Sequence, residues 1–398
     1  MTFFIVFDTC THARYYGDVH EVLALPESAV IRYEYKRYLY SAAAAAAIEM
    51  LARDPTRLPV PALLMYGQKK RFSQGDAEPQ TMLTRADSEF VPTRSADLMA
   101  VAVERSADRD SDVLYMHFQL RGFVTPDAPI IGELVAALEA ANSLPFGDKQ
   151  TQYTWISLLP GSLAPKQSQL VSDDQTLWSM VVDRLIALAT QFENDVFWRV
   201  KGLVQITNGQ PGPKMPLKDR RTNKRVHSDS WRRDYGLFEA KRYAVAIQTH
   251  SPEGHGVAVP AGSSIAMTSL DDDDKVLGLS SDPLQIVPNQ VEYKRFKISI
   301  SNDAAFDTRY TGIRLETQLQ NHASAYPLGS MCSLTFSVRK ELWRLVFGLI
   351  SLCVGAGFLA IVAVGKPNLW WGVTLTIVAA LLGWCGYYLI FKQFKFGK

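Results

Sequence analysis

Asp8, Cys10 and His12 set a carboxylate, a thiol and an imidazole at alternate positions near the N-terminus. A thiol beside a base is a route to an activated nucleophile, so this triplet is the first candidate for catalysis. Closeness along the chain fixes no geometry, and Asp8 closes a short apolar run from Phe3 to Phe7 that reads as a first buried strand rather than a signal peptide. Asp271 to Asp274, followed by Lys275, is the densest acidic run. A calcium loop needs oxygens at alternate positions, so consecutive aspartates read as a solvated turn. The phosphate-loop, dinucleotide, HExxH and GxSxG patterns do not occur. No catalytic residue, metal ligand or cofactor is therefore expected, and the chain reads as a non-enzyme. Cys10, Cys332, Cys353 and Cys385 have no metal-site spacing and lie too far apart to staple the chain, so buried free thiols in a reducing compartment are expected.

The densest charge feature runs from Lys214 to Asp234. Lys214, Lys218, Arg220, Arg221, Lys224, Arg225, Arg232 and Arg233 outnumber Asp219, Asp229 and Asp234, and Pro211, Pro213 and Pro216 precede or interrupt them. Prolines in that number predict a loop, and residues 208–236 read as a basic linker. Three uses stay open for it. It is a solvated linker, an anion site for lipid headgroups at about 1 kcal/mol per charge, or a nucleic-acid contact in which Trp231 and Tyr235 stack on bases.

These residues hang on two contrasting halves. The chain has 398 residues, 47% hydrophobic and 21% charged, which excludes disordered and fibrous classes. Net charge is +2, so whole-chain charge points to no polyanion partner. The mean hydropathy of −0.04 averages a mixed body with an apolar end. Residues 1–207 alternate strands and helices: Val30–Lys36 alternates apolar with charged, Ser41 caps the alanine run 42–47, and Leu177, Val181, Leu185 and Leu188 lie on one helical face. That is a mixed α+β domain for sensing or interaction. Residues 237–338 read as about seven short strands between turn residues, the pattern of an immunoglobulin-like β-sandwich.

Residues 339–398 carry two uncharged runs, Leu345 to Gly365 and Leu369 to Phe391, separated by Lys366-Pro367-Asn368. A helix of about 20 residues spans roughly 30 Å, the thickness of a bilayer core. A transmembrane hairpin is predicted, with Trp343, Trp370 and Trp371 at the interfaces. Arg339, Lys340 and Arg344 precede it and Lys392, Lys395 and Lys398 follow, against Lys366 alone between the spans. That asymmetry puts both termini and the soluble domains on the cytoplasmic side of the inner membrane. Ser351 with Gly355 and Ala379 with Gly383 form small-xxx-small pairs, and Gly357 and Gly386 lie nearby. Such residues let helices approach closely in lipid, within one hairpin or between copies.

A soluble α+β region, a β-sandwich and a terminal hairpin over Leu345–Phe391 without charged pathway residues together resemble the two-transmembrane effector subunits of bacterial antiphage systems. The resemblance implies an effector held silent until a partner protein or signal drives homo-oligomeric assembly and membrane depolarisation. The competing expectation, from a different class, is a membrane-tethered adaptor or ligand-binding receptor with an inert anchor.

Overall fold

The computed structural model describes residues 3–8, 13–69, 88–106, 112–126, 129–141, 143–145, 154–159, 176–188, 197–221, 231–250, 264–270, 277–279, 284–285, 291–299, 309–318, 331–365 and 368–391. The N-terminal body contains β1 (Phe3–Asp8), α1 (Ala13–Ala24), β2 (Val30–Lys36), α2 (Ala42–Arg53), β3 (Val60–Lys69), β4 (Ser88–Glu104), β5 (Val113–Phe123), α3 (Pro129–Ala140), β6 (Ile156–Leu159) and α4 (Leu177–Leu188). Its six strands form one mixed sheet in the order β2-β5-β4-β3-β1-β6. β1 pairs parallel with β3 and antiparallel with β6. Both faces of β1 are covered, which explains its unbroken apolar run. Phe4 and Val6 share a core with Ala44, Ile48 and Leu51 of α2, whereas Phe3, Ile5 and Phe7 pack with Ile131, Leu134 and Leu138 of α3. The Ser41 hydroxyl accepts from the Ala44 amide at 3.2 Å and closes the first turn of α2.

The second body contains β7 (Phe197–Thr207), β8 (Gln210–Lys214), β9 (Leu217–Arg221), β10 (Trp231–Phe238), β11 (Arg242–His250), β12 (Ser264–Ser269), β13 (Leu277–Leu279), β14 (Leu284–Gln285), β15 (Val291–Ile298), β16 (Arg309–Gln318) and β17 (Met331–Arg339). A six-stranded sheet runs β14-β12-β16-β17-β10-β9 and a five-stranded one β13-β15-β11-β7-β8. Their inner faces share a core, where the rings of Phe296 and Phe336 stack at 5.5 Å between centroids. Trp198 Nε1 donates to Thr317 Oγ1 at 2.8 Å across the same gap. The chain ends in α5 (Leu342–Gly365) and α6 (Leu369–Phe391), which pack side by side as a hairpin. The described residues are thus dominated by β-sheet, with six helices.

Two expectations need correction. The strand over 197–207 closes no α+β domain; β7 pairs with β11 over nine registered positions and belongs to the second body. The described part of 208–236, residues 208–221 and 231–236, is largely strand rather than linker. β8 and β9 lie at the edges of the two sheets, where Pro211 and Pro213 remove no ladder hydrogen bond that the sheet needs and where lysine and arginine blunt an open edge. Proline and charge looked like a linker because edge strands use the same residues. The run 271–275 lies outside the described residues.

Candidate functional site

The hairpin is built on close approach of backbone. Among the described side chains of α5 and α6 the buried positions are Gly348, Gly355, Ala379 and Gly386, spaced by seven residues on each helix. A Cβ added at Gly386 would lie 2.8 Å from the Gly348 carbonyl oxygen and 2.7 Å from Leu352 Cγ. One added at Gly355 would lie 3.1 Å from the Ala379 carbonyl oxygen and 3.4 Å from the Gly383 amide nitrogen. Spacing of seven keeps one stripe facing an antiparallel partner, so these four residues form the seam within one hairpin. Gly357 and Gly383 are different, because a Cβ at either meets nothing within 4 Å. Ser351 is half-buried beside the seam. Sequence spacing of four pointed to Ser351 with Gly355 and to Ala379 with Gly383; the seam repeats at seven and includes Gly348, which has no small residue four positions away and so falls outside the pairs singled out from sequence.

The helices have the length and composition to cross a membrane, and only 11% of each apolar window is buried. Core helices of a soluble protein are mostly buried, whereas the outward faces of this pair form exposed apolar surface. Trp370 is 82% exposed and Trp371 63% at the start of α6. Asn368 Oδ1 accepts from the Trp371 amide at 3.1 Å and caps that helix. Thr374 and Thr376 donate to the carbonyls of Trp370 and Gly372, so both hydroxyls are satisfied within the helix. The side chains of Trp343 and Arg344, and residues 366–367 and 392–398, lie outside the described part.

Strand β17 joins this hairpin to everything else. Arg339 ends the strand and Leu342 begins α5. Helix α1 of the N-terminal body packs on β17 and β7. Glu21 of α1 faces β17, and burial plus the neighbouring Asp18 push its carboxyl up to about 7. The thiol of Cys332 on β17 is raised well above its usual range by burial and then by Glu21. Between the bodies lies a cavity of about 330 Å³, lined by Glu21, Arg32, Leu217, Tyr235, Ser333 and Thr335 among others. Thr335 Oγ1 donates to the buried Asp234 carboxylate at 2.5 Å beside it. Sequence reading missed α1, although Val19, Val22 and Leu23 repeat at helical spacing.

Helix α1 is braced within its own body, and the joint is held at two further points. Arg94, 1% exposed, donates to the carbonyls of Val22 and Leu25 at the end of α1 and to that of Arg121. A cation on the last carbonyls of a helix meets the negative end of its dipole. Burial lowers the Arg94 guanidinium to about 9, with Glu27 opposing the shift and Arg199 adding to it. On the other side of the joint, Asp183 of α4 meets His250 of β11 at 2.7 Å, with the imidazole edge-on to Trp178. His20 of α1 stacks on Phe197 of β7 at 5.1 Å and is driven down to about 3 by burial, so it stays neutral.

The remaining sequence candidates are dispersed. Asp8 is buried and accepts from the Tyr33 hydroxyl at 3.3 Å, a packing role; Cys10 and His12 lie outside the described residues. Lys214 sits on β8 and Lys218 on β9, at edges of separate sheets. In the β9–β10 ladder Arg220 stands opposite Arg232 and Asp219 opposite Arg233, with Arg221 opposite Trp231. Lys224 and Arg225 lie outside the described residues. Tyr235 is buried in the core between the sheets, which removes it as a base-stacking platform. Among the described residues no group of three His, Cys, Asp or Glu side chains is arranged to hold a metal ion. Comparison with known protein families, with curated proteins and with solved structures found no match for this chain.

Proposed function

We propose that this protein is a membrane-tethered effector, with α5 and α6 crossing the inner membrane and the two β-rich bodies facing the cytoplasm. The second body is read as an immunoglobulin-like sandwich widened by β7, β8 and β9. One observation carries the reading: β17 is at once the docking surface of the N-terminal body and the strand that continues into α5. A partner protein that displaces α1 from β17 changes the load on the hairpin directly, with only Lys340 and Glu341 between strand and helix. The hairpin has two helices and no charged residue within the spans, so it encloses no pore alone. Membrane damage then requires several copies, packed through the open glycines Gly357 and Gly383. This is the behaviour of an antiphage effector silent until triggered.

A specific observation favours the second reading, an adaptor or receptor with an inert anchor. The small residues Gly348, Gly355, Ala379 and Gly386 are consumed within the hairpin. Expression of the full chain, of a chain lacking residues 339–398, and of the pair Gly357→Leu and Gly383→Leu, each followed with a membrane-potential dye, separates the two. The effector reading expects depolarisation that needs 339–398 and is lost in the double variant. Absence of depolarisation under triggering conditions, such as phage challenge, leaves the adaptor.

A further inference from the structure

The strand registers sort the basic residues of the second body into two ends. Phe238 of β10 stands beside Arg339 of β17 in a parallel pair. The Glu239 amide donates to the Arg339 carbonyl at 3.1 Å, and the Ile298 amide to the Lys241 carbonyl at 3.1 Å. Arg242 is opposite Lys297, and Arg309 opposite Val338. These strand ends therefore share one level, immediately before Leu342, where α5 begins. The Trp231 end of β10, with Arg220, Arg221 and Arg232, lies about seven residues back along the strand, roughly 23 Å away at 3.3 Å per residue. The segment with most basic residues in sequence is thus the end remote from α5.

The near rim has the composition of a water–lipid boundary. Arg242, Lys297 and Arg339 are exposed, and Lys241, Arg309 and Lys340 partly so. Of its described acids, Glu341 pairs with Lys241 at 2.9 Å and Glu239 is 4% exposed. Two aromatic side chains stand out beside the cations, Phe238 at 38% and Tyr310 at 44% exposed. Residues 300–308, between β15 and β16, lie outside the described part. Cations with long apolar stems and aromatic rings are the side chains that bind at a headgroup layer.

We propose that this rim docks on the anionic headgroups of the leaflet that α5 enters, with Arg242, Lys297, Arg309 and Arg339 on lipid phosphates and Phe238 and Tyr310 among the headgroups. The inference rests on α5 and α6 spanning the bilayer, and it moves lipid recognition from the β9–β10 ladder to the opposite end of the sheets. Docking there fixes the tilt of the second body on the membrane, and with it the direction in which β17 pulls on α5.

The test is hydrogen exchange of the full chain in nanodiscs of phosphatidylcholine alone or of equal parts phosphatidylcholine and phosphatidylglycerol. Each basic side chain near an anionic surface contributes about 1 kcal/mol, a factor of about five. Exchange at 238–242, 297–299 and 309–310 should slow at least about fivefold with the anionic lipid. Salt near 1 M, where the Debye length falls to about 3 Å, should erase the difference. The set Arg242→Glu, Lys297→Glu and Arg309→Glu should abolish it while matching the wild type in phosphatidylcholine. If that set does not fold, the glutamine versions of the same three positions serve, and they too should lose the difference. Equal exchange in both lipids by incorporated protein overturns the rim and leaves the hairpin standing. Slowing at 217–221 and 231–235 instead overturns it in favour of the β9–β10 ladder. Failure to incorporate removes the hairpin and the rim together.

Discussion

Replacing Gly386 with alanine puts a methyl group where the hairpin has no room. The new Cβ would lie 2.8 Å from the Gly348 carbonyl oxygen and 2.7 Å from Leu352 Cγ. Leu352 has rotamers to retreat into, but a helix carbonyl does not. Restoring ordinary contact needs a separation of roughly 0.6 Å, which forfeits about a quarter of the dispersion attraction along the rest of the seam. Overpacking of this kind costs about 1–3 kcal/mol. Gly355→Ala meets the Ala379 carbonyl oxygen at 3.1 Å and should cost less. Gly357→Ala and Gly383→Ala meet nothing within 4 Å, and alanine's helix propensity exceeds glycine's by about 1 kcal/mol, so those changes should be neutral or stabilising. The assay is dodecyl sulfate titration of the full chain in mixed micelles, with the fluorescence of the hairpin tryptophans reporting helix separation. The expected order of destabilisation is Gly386, then Gly355, then Gly357 and Gly383 together. If Gly357→Ala destabilises as much as Gly386→Ala, the seam lies on another face and the reasoning fails. The same contrast guides functional work, because leucine at Gly355 disrupts the hairpin itself whereas leucine at Gly357 or Gly383 probes contact between copies.

Glu21 offers a pH test: its native pKa of about 7 exceeds the ordinary 4.5, so the folded protein holds more protons between those values. Its contribution to stability is complete below the lower value and lost as pH rises through the upper one. Glu21→Gln should therefore raise the melting temperature above about pH 8 and give no gain near the lower value, and equal shifts at both ends would refute the assignment. His20 runs the other way, losing stability as pH falls from 6.5 towards about 3, so only the difference between wild type and variant isolates Glu21. Gly312→Ala would press on Leu270 and place a Cβ 2.7 Å from the Leu334 carbonyl oxygen inside the β16–β17 ladder. A loss of about 1–3 kcal/mol by thermal denaturation is expected, with Gly278→Ala, 3.6 Å from its nearest atom, as the mild control.

The sequence by itself determined those features that depend on local chemistry. Two uncharged runs of spanning length could form little but apolar helices, and the short alternating runs after residue 237 could form little but strands. Ser41 announced the helix it caps, and the covered faces of β1 were written in five consecutive apolar residues. The tertiary structure decided everything that depends on which segments meet. A strand carries no mark of the sheet it will join, so β7 looked like the end of the first domain until its pairing with β11 placed it in the second. Edge strands and linkers draw on the same prolines and charges, because both present backbone that no neighbour covers, and β8 and β9 were hidden for that reason. The glycines of the hairpin were visible as candidates, yet spacing alone allows several stripes on one helix. Only the antiparallel packing of α5 on α6 selected Gly348, Gly355, Ala379 and Gly386 and left Gly357 and Gly383 open. Charge density along the chain pointed to the ladder of β9 and β10, but which basic residues share a level beside α5 is set by strand register rather than by order in sequence.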